Sequence, residues 1–139
     1  FSLAIEAQAD PKSGHLDRIQ VVKGWIDATG ETRERVYDAA WSGDDRLLPD
    51  GSLAAVGSSV DLNTGLTANT IGSPRLTAVW QDPAFDPAQS AFYYVRVLQI
   101  PTARHSLLDK LALGNEDIDT RSPVAIQGRG SSSPIWCRP

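Results

Sequence analysis

Apolar and polar residues alternate with a period of two along much of the chain. Every second side chain is apolar over residues 1–9, and the alternation resumes over residues 16–26 and 33–41. Such a pattern predicts half-buried strands, because successive side chains of a strand point to opposite faces of its sheet. The intervening segment 27–32, DATGET, is a short turn, so the second and third strands are predicted to pair as an antiparallel hairpin. Residues 75–80 predict a further short strand.

The longest strand-like run is residues 90–101, SAFYYVRVLQIP. Both of its alternating sets of side chains are largely apolar, which predicts a central strand covered on both faces. Arg96 is the single charge in this run. Because a buried guanidinium needs a carboxylate or several carbonyls, we expect Arg96 to form a structural ion pair rather than to contact a ligand. The terminal segment 133–137 is the predicted partner of this strand.

One helix is predicted, over residues 102–113. Leu107, Leu108 and Leu111 lie on one face of that helix, and Gly114 stands where a helix often ends with a glycine. The helix is therefore expected to pack through its leucine face and to separate the long strand from the strands that follow.

The remaining segments complete an all-β pattern. Residues 60–71 have moderate strand propensity, and residues 124–127 and 134–136 are predicted as the closing strands. About seven short strands separated by turns are typical of an antiparallel β-sandwich. We therefore predict that residues 1–139 form a single, mainly β domain. Its fold class is an immunoglobulin- or fibronectin-like β-sandwich with one short helix inserted before the last strands.

The composition is that of an ordinary folded domain, with 139 residues, 41% of them hydrophobic and 22% charged. A net charge of −4 argues against a nucleic-acid backbone or an anionic membrane as the main partner. No apolar run approaches the roughly 20 residues of a membrane helix, so no membrane insertion is expected. The chain contains no methionine and begins inside a strand pattern, so we expect a fragment or a processed product whose compartment stays open.

Residues and motifs typical of catalytic, phosphate-binding or metal-binding sites are few. His15 is predicted to be a surface residue, and His105 is predicted to pack at the helix start. The two histidines lie far apart in the sequence. The single Cys137 excludes a multi-cysteine zinc site. Residues 128–133, GRGSSS, lack the lysine of a phosphate-binding loop and predict a loop before an edge strand. Residues 61–65, DLNTG, are too short for a calcium loop and predict a turn. We expect no catalytic, cofactor-binding or metal-binding residue here.

The tryptophans allow two interpretations. Each of the four ends a strand-like run, where closing the core of a sandwich is the ordinary role. Exposed tryptophans could instead stack on sugar rings. The candidates for an interface or for ligand contact are Trp25, Trp41, Arg96, His105 and Trp136.

Several segments, taken in order, resemble a known family. The chain is similar over essentially its whole length to the C-terminal region of a large bacterial family of uncharacterised proteins, domain-of-unknown-function family 3604. The segments that carry the resemblance are residues 16–25 (LDRIQVVKGW), 36–42 (VYDAAWS), 69–72 (NTIG), 91–97 (AFYYVRV), 100–102 (IPT) and 132–136 (SSPIW).

The resemblance implies a role within a larger protein. Full-length members look like relatives of PHP-type metal-dependent hydrolases, whose N-terminal part carries the metal ligands. None of those ligand motifs lies in this chain, so the resemblance implies a non-catalytic module that braces its own catalytic domain, with any divalent metal held there. The alternative is an autonomous module that binds carbohydrate or protein. Large aromatics usual in the family are replaced at His105, Ser131 and Cys137, which weakens a role for those positions in a shared contact.

Overall fold

A computed structural model describes residues 1–139. The protein is mainly β, with 45% of its residues in strands and 9% in helices, and it contains two antiparallel sheets. The predicted sandwich with one short helix before the final strands is therefore confirmed. The strands are β1 (Ser2–Gln8), β2 (Leu16–Ile26), β3 (Thr32–Trp41), β4 (Arg75–Gln81), β5 (Ala91–Ala103), β6 (Ala125–Ser131) and β7 (Ile135–Cys137), and the helices are a 3-10 turn at Asp44–Arg46 and α1 (His105–Leu113).

The larger sheet is built around β5. Its strand order is β3-β2-β5-β6, and β7 pairs with the other end of β5 on the side of β6. The central position predicted for this strand and its pairing with the terminal strand are both confirmed. The strand runs further than predicted, because Thr102 and Ala103 pair with Ile126 and Ala125. The helix consequently begins at His105 rather than at Thr102.

The smaller sheet contains β1 and β4 alone. It packs on what we call the inner face of the larger sheet; the opposite face is the outer face. The core between the sheets is centred on Ile19, Val21 and Tyr93, which are fully buried, and alternate side chains of β1 such as Leu3 and Ile5 pack against it. The alternation of apolar residues along β1 and β2 therefore arises from one shared core.

The long connection between β3 and β4 forms no further strand. Residues 60–71, which have moderate strand propensity, contribute a single bridge between Val60 and Thr67. The segment covers one end of the larger sheet instead. Asn69 reaches back to the chain before β2, accepting a hydrogen bond from the amide of His15 at 2.8 Å and donating one to the carbonyl of Ser13 at 3.1 Å.

The predicted end of the helix is confirmed, whereas the loop predicted over residues 128–133 is wrong in part. The glycine that ends α1 is confirmed, since Gly114 adopts a left-handed conformation with φ of 58° and its amide bonds back to Lys110. The loop predicted over residues 128–133 is wrong for residues 128–131, because the strand β6 continues to Ser131. Pairing with β5 overrides the low strand propensity of glycine there. Neither helix combines the length and the hydrophobicity that a membrane-spanning segment requires.

We predict that Ile19→Ala lowers the free energy of unfolding by about 2–5 kcal/mol, because it leaves a cavity in the fully buried core. The matched control is Ile126→Ala on β6, where the side chain is 40% exposed and the expected loss is about 1 kcal/mol or less. Urea denaturation followed by tryptophan fluorescence measures both. Equal losses for the two variants would contradict the assigned core.

Candidate functional site

The structure does not gather the sequence-predicted candidates into one site. Trp25 lies on the inner face, half-buried against the core around Val21. Trp41 ends β3 and borders a separate hollow. His105 is exposed at the start of α1, and Trp136 is 62% exposed on the outer face. The core role therefore fits Trp25, whereas Trp136 remains available for contact.

The ion pair expected for Arg96 does not form. Its Nε donates to Oε1 of Gln20 at 2.9 Å, and the amide of Gln20 donates in turn to Asp38 at 2.8 Å. The carboxylate of Asp38 lies 3.5 Å from Arg18. The guanidinium of Arg96 is therefore linked to a carboxylate through one neutral side chain, because Gln20 is its direct neighbour on β2.

Lys23, Asp82 and Tyr93 form a buried polar cluster. Lys23 Nζ lies 2.6 Å from Asp82 Oδ2, and the Tyr93 hydroxyl donates to the same oxygen at 2.6 Å. The ammonium also donates to the carbonyl of Ala84 at 2.8 Å and lies 5.3 Å from the centre of the Trp25 ring. The cluster joins β2, β5 and the turn after β4 inside the core.

The surroundings shift two pKa values in this cluster. Burial raises the pKa of Asp82, but hydrogen bonds from Lys23 and Tyr93 outweigh it, so the net pKa lies below the usual range for aspartate. Burial, together with the hydrogen bond to Asp82 and its negative charge, raises the pKa of the Tyr93 hydroxyl. Asp82 is therefore ionised and Tyr93 neutral at neutral pH.

No group of this cluster is free to act in catalysis. Both oxygens of Asp82 are occupied, because Oδ1 accepts the amide of Ala84 at 2.9 Å while Oδ2 accepts Lys23 and Tyr93. A buried ion pair with all its partners satisfied holds a structure in register and offers no free group to a substrate. We therefore interpret the cluster as structural: it holds β2, β5 and the turn after β4 together.

A second buried carboxylate, Asp17, forms ion pairs and hydrogen bonds that connect elements of the larger sheet. It lies in a bulge of β2 and is fully buried. Arg46 lies 2.7 Å from Oδ1, while Arg18 and Gln127 donate to Oδ2 at 3.1 and 2.7 Å. Asp17 thereby fastens the loop after β3 and the edge strand β6 to the centre of the sheet.

Histidines contribute no metal site. His15 is half-buried, which corrects its prediction as a surface residue: the loop around Gly72 packs against its Cβ, and its Nδ1 has no hydrogen-bond partner. No group of three His, Cys, Asp or Glu side chains lies close enough together to hold an ion. Asp61 forms the predicted turn, accepting the amide of Asn63 at 2.8 Å.

An apolar surface remains open on the outer face. Gly24, Phe92 and Trp136 form one row across three strands, and a Cβ on Gly24 would lie 2.3 Å from the Phe92 ring. Glycine thus lets Phe92 lie flat on the sheet. The Trp136 ring packs 5.3 Å from it, and Ile26 beside them is 52% exposed. We call Ile26, Phe92 and Trp136 the aromatic patch; it borders a cavity of about 420 Å3.

A larger cleft lies on the inner face. It runs between β1 and the exposed part of β5, β6 and the following turn, and it has a volume of about 910 Å3. Val95 and Val97 form its floor, and β1 forms one wall. We call it the β1 cleft. It exists because the smaller sheet has two strands and the larger has five.

The sequence indicated part of the buried ion pair and nothing of the β1 cleft. Lys23 falls in phase with the inward-facing residues of β2, so a buried charge was visible there. Its partner Asp82 is 59 residues away and could not be identified. The β1 cleft has no signal in the sequence, since it depends on how many strands each sheet contains.

The fold and these surfaces define a small β-sandwich module with ion-paired internal polar clusters and two open surfaces. Its family is shown by a match to the proteins described as "Protein of unknown function (DUF3604)", which covers residues 1–139. The chain belongs to this family. Comparisons with curated proteins and with solved structures found no match.

We predict that Asp82→Asn lowers the free energy of unfolding by about 3–5 kcal/mol at pH 7, because it leaves the Lys23 ammonium buried without its counter-charge. The difference from the wild type should shrink as pH falls below about 4. The pKa of Asp82 is depressed in the folded state, so its stabilisation is present at higher pH and is lost on protonation.

Urea denaturation from about pH 8 to below the ordinary aspartate pKa of about 4 measures this difference. Asp44→Asn, at an exposed position in the 3-10 turn, is the control and should leave stability nearly unchanged. A difference for Asp82→Asn that stays constant down to the lowest pH would contradict the ionised pair.

Proposed function

We propose that this chain is a non-catalytic β-sandwich module that packs against a neighbouring domain of a larger, metal-dependent hydrolase. The aromatic patch is the observation that carries the proposal. Three large apolar side chains lie side by side on the outer face, and the largest, Trp136, is 62% exposed. Contiguous apolar surface of this kind is typical of a contact surface rather than of a solvent-facing sheet.

The accessible surface area of the chain is larger than that of a compact monomer of the same mass, which supports a contact with a further domain. It measures 8855 Å2 for a 15.0 kDa chain, whereas a compact monomer of that mass exposes about 7,000 Å2. The excess exceeds the roughly 800 Å2 that one partner contributes to a standard interface. A neighbouring domain seated on the outer face would remove part of that surface from water.

The polar clusters support the non-catalytic part of the proposal. Lys23, Asp82 and Asp17 are buried and have all their charges paired within the chain. A catalytic acid, base or nucleophile must reach a substrate, and none of these groups does so. The reaction and its metal are accordingly assigned to the other domain, as the family resemblance implies.

The interface is tested by hydroxyl-radical footprinting of the 139-residue chain and of the intact protein that contains it. We predict that oxidation of Trp136 is at least about fivefold slower in the intact protein, because the neighbouring domain excludes solvent from the patch. Val79, 86% exposed on the smaller sheet, is the control and should oxidise equally in both. Equal oxidation of Trp136 would contradict the interface.

The absence of catalysis is tested by assaying the chain with phosphate and sulfate esters in the presence of Mg²⁺, Mn²⁺ or Zn²⁺. We expect no turnover above the metal-only blank. Metal-dependent turnover that is lost on His15→Ala or His105→Ala would overturn the non-catalytic assignment.

A second candidate, carbohydrate binding, is favoured by one observation at the same patch. The open ring of Trp136 stands beside a cavity that Arg33 and Glu34 also border. An exposed aromatic face next to polar side chains is the arrangement that stacks on a sugar ring while hydrogen bonds fix its hydroxyls.

A glycan array separates the two functions. For carbohydrate binding, a wild-type signal should be lost in Trp136→Ala and kept in Trp41→Ala, whose side chain borders a different hollow. For the bracing module, the chain should give no specific signal on the array. A signal that survives Trp136→Ala would contradict a sugar site at the patch.

A further inference from the structure

The outer edge of β1 has free backbone groups. In the ladder between β1 and β4, Asp82 donates its amide to Phe1 and Ala9 donates its amide to Pro74. Hydrogen-bonded pairs alternate along an antiparallel ladder, so the odd-numbered residues of β1 bond to β4. The amides and carbonyls of the even-numbered residues therefore point away from β4. These residues are Ser2, Ala4, Glu6 and Gln8.

Those backbone groups face the β1 cleft. The floor of the cleft, Val95 and Val97, is partly exposed, although it belongs to the central strand of the larger sheet. A Cβ placed on Gly130 would meet no atom within 4 Å. The cleft is thus as long as β1, has a row of backbone donors and acceptors along one side and has apolar side chains beneath.

We propose that the β1 cleft binds an extended polypeptide strand, which pairs with the free edge of β1 and adds a third strand to the smaller sheet. The backbone of the strand would bond to the even-numbered residues of β1. Alternate side chains of the strand would point down onto Val95, Val97 and the space beside Gly130. Strand addition of this kind draws affinity from main-chain hydrogen bonds and specificity from alternate side chains.

An extended polypeptide fits this site better than a small molecule. Unpaired amides and carbonyls repeat along β1 at the spacing of a strand, and a peptide backbone satisfies such a row in full. Sheets pack about 10 Å apart, so a strand in the plane of β1 can rest its inward side chains on the valine floor. Those inward positions favour small or medium apolar residues.

A second copy of the chain does not fit through the same edge. The larger sheet extends beyond β1 through β5 and β6, which form the far side of the cleft. If two copies paired symmetrically through β1, the extending strands of both would occupy the same space. The occupant is therefore a separate extended segment.

The opposite edge of the smaller sheet offers no equivalent site. β4 also has a free edge, but it lies over β2 and β3, without an open floor of comparable volume. This difference supplies a matched control. The proposal does not depend on the proposed function, because the β1 cleft and the aromatic patch lie on opposite faces of the larger sheet.

Three variants test the cleft. Ala4→Pro removes an outward amide from β1, and Val79→Pro removes one from β4; these residues are cross-strand partners in a pair that does not bond within the sheet. Gly130→Phe fills the cleft from β6. Thermal unfolding by circular dichroism verifies that each variant is folded, and Ala4→Pro keeps the test decisive if Gly130→Phe does not fold.

The probe is a fluorescent nine-residue peptide of alternating lysine and valine, a length that about matches one strand. Its control has the same composition, with the lysines and valines in two blocks. Binding is measured by fluorescence anisotropy. We expect saturable binding of the alternating peptide, at least about tenfold tighter than that of the block peptide, to the wild type and to Val79→Pro. Ala4→Pro and Gly130→Phe should each weaken it at least about tenfold.

Results of two kinds, from peptide binding and from self-association, would overturn the proposal. One is the absence of saturable binding to the wild type up to about 1 mM peptide, or equal binding to all four proteins. The other is self-association of the chain that Ala4→Pro abolishes, measured by analytical ultracentrifugation, because the edge would then belong to a second copy.

Discussion

The unequal number of strands in the two sheets is the constraint on which the rest of this structure depends. A two-stranded sheet cannot cover a five-stranded one, so part of the inner face stays open beside β1. Only 15 of 139 residues are buried, which is few for a chain long enough to form a sizeable core. The molecule therefore has the architecture of a sandwich in which part of the inner face of the larger sheet is exposed.

The buried polar clusters connect elements that this small core does not hold together by itself. Lys23 and Asp82 connect the larger sheet to the turn after β4, and Tyr93 contributes to both the apolar core and the hydrogen bonds. Asp17 connects the loop after β3 to β6. A charge pair of this kind contributes little net stability compared with apolar packing, but losing one member costs much. The clusters therefore fix the arrangement of elements more than they add to the stability of the fold.

Local patterns predicted the strands well and the surfaces poorly. The alternation along β1 and β2 follows from burial of one face, so periodicity was sufficient to place both strands. Pairing decided what periodicity could not: Thr102 and Ala103 stay in β5 because β6 lies beside them. Arg96 was expected to meet a carboxylate, yet its neighbour across the sheet is Gln20. Trp136 was a contact candidate from the sequence, but its place beside Phe92 depends on the register between β5 and β7. The β1 cleft depends on the number of strands in each sheet, which no local pattern contains.

The edge of β1 is open in the chain alone, and amide hydrogen exchange followed by NMR tests this property most directly. An open edge predicts an alternation along one strand: the amides of Leu3, Ile5 and Ala7 exchange at least about 100-fold more slowly than those of Ala4, Glu6 and Gln8. Uniform protection along β1 would contradict the open edge, because β1 would then already be paired on both sides.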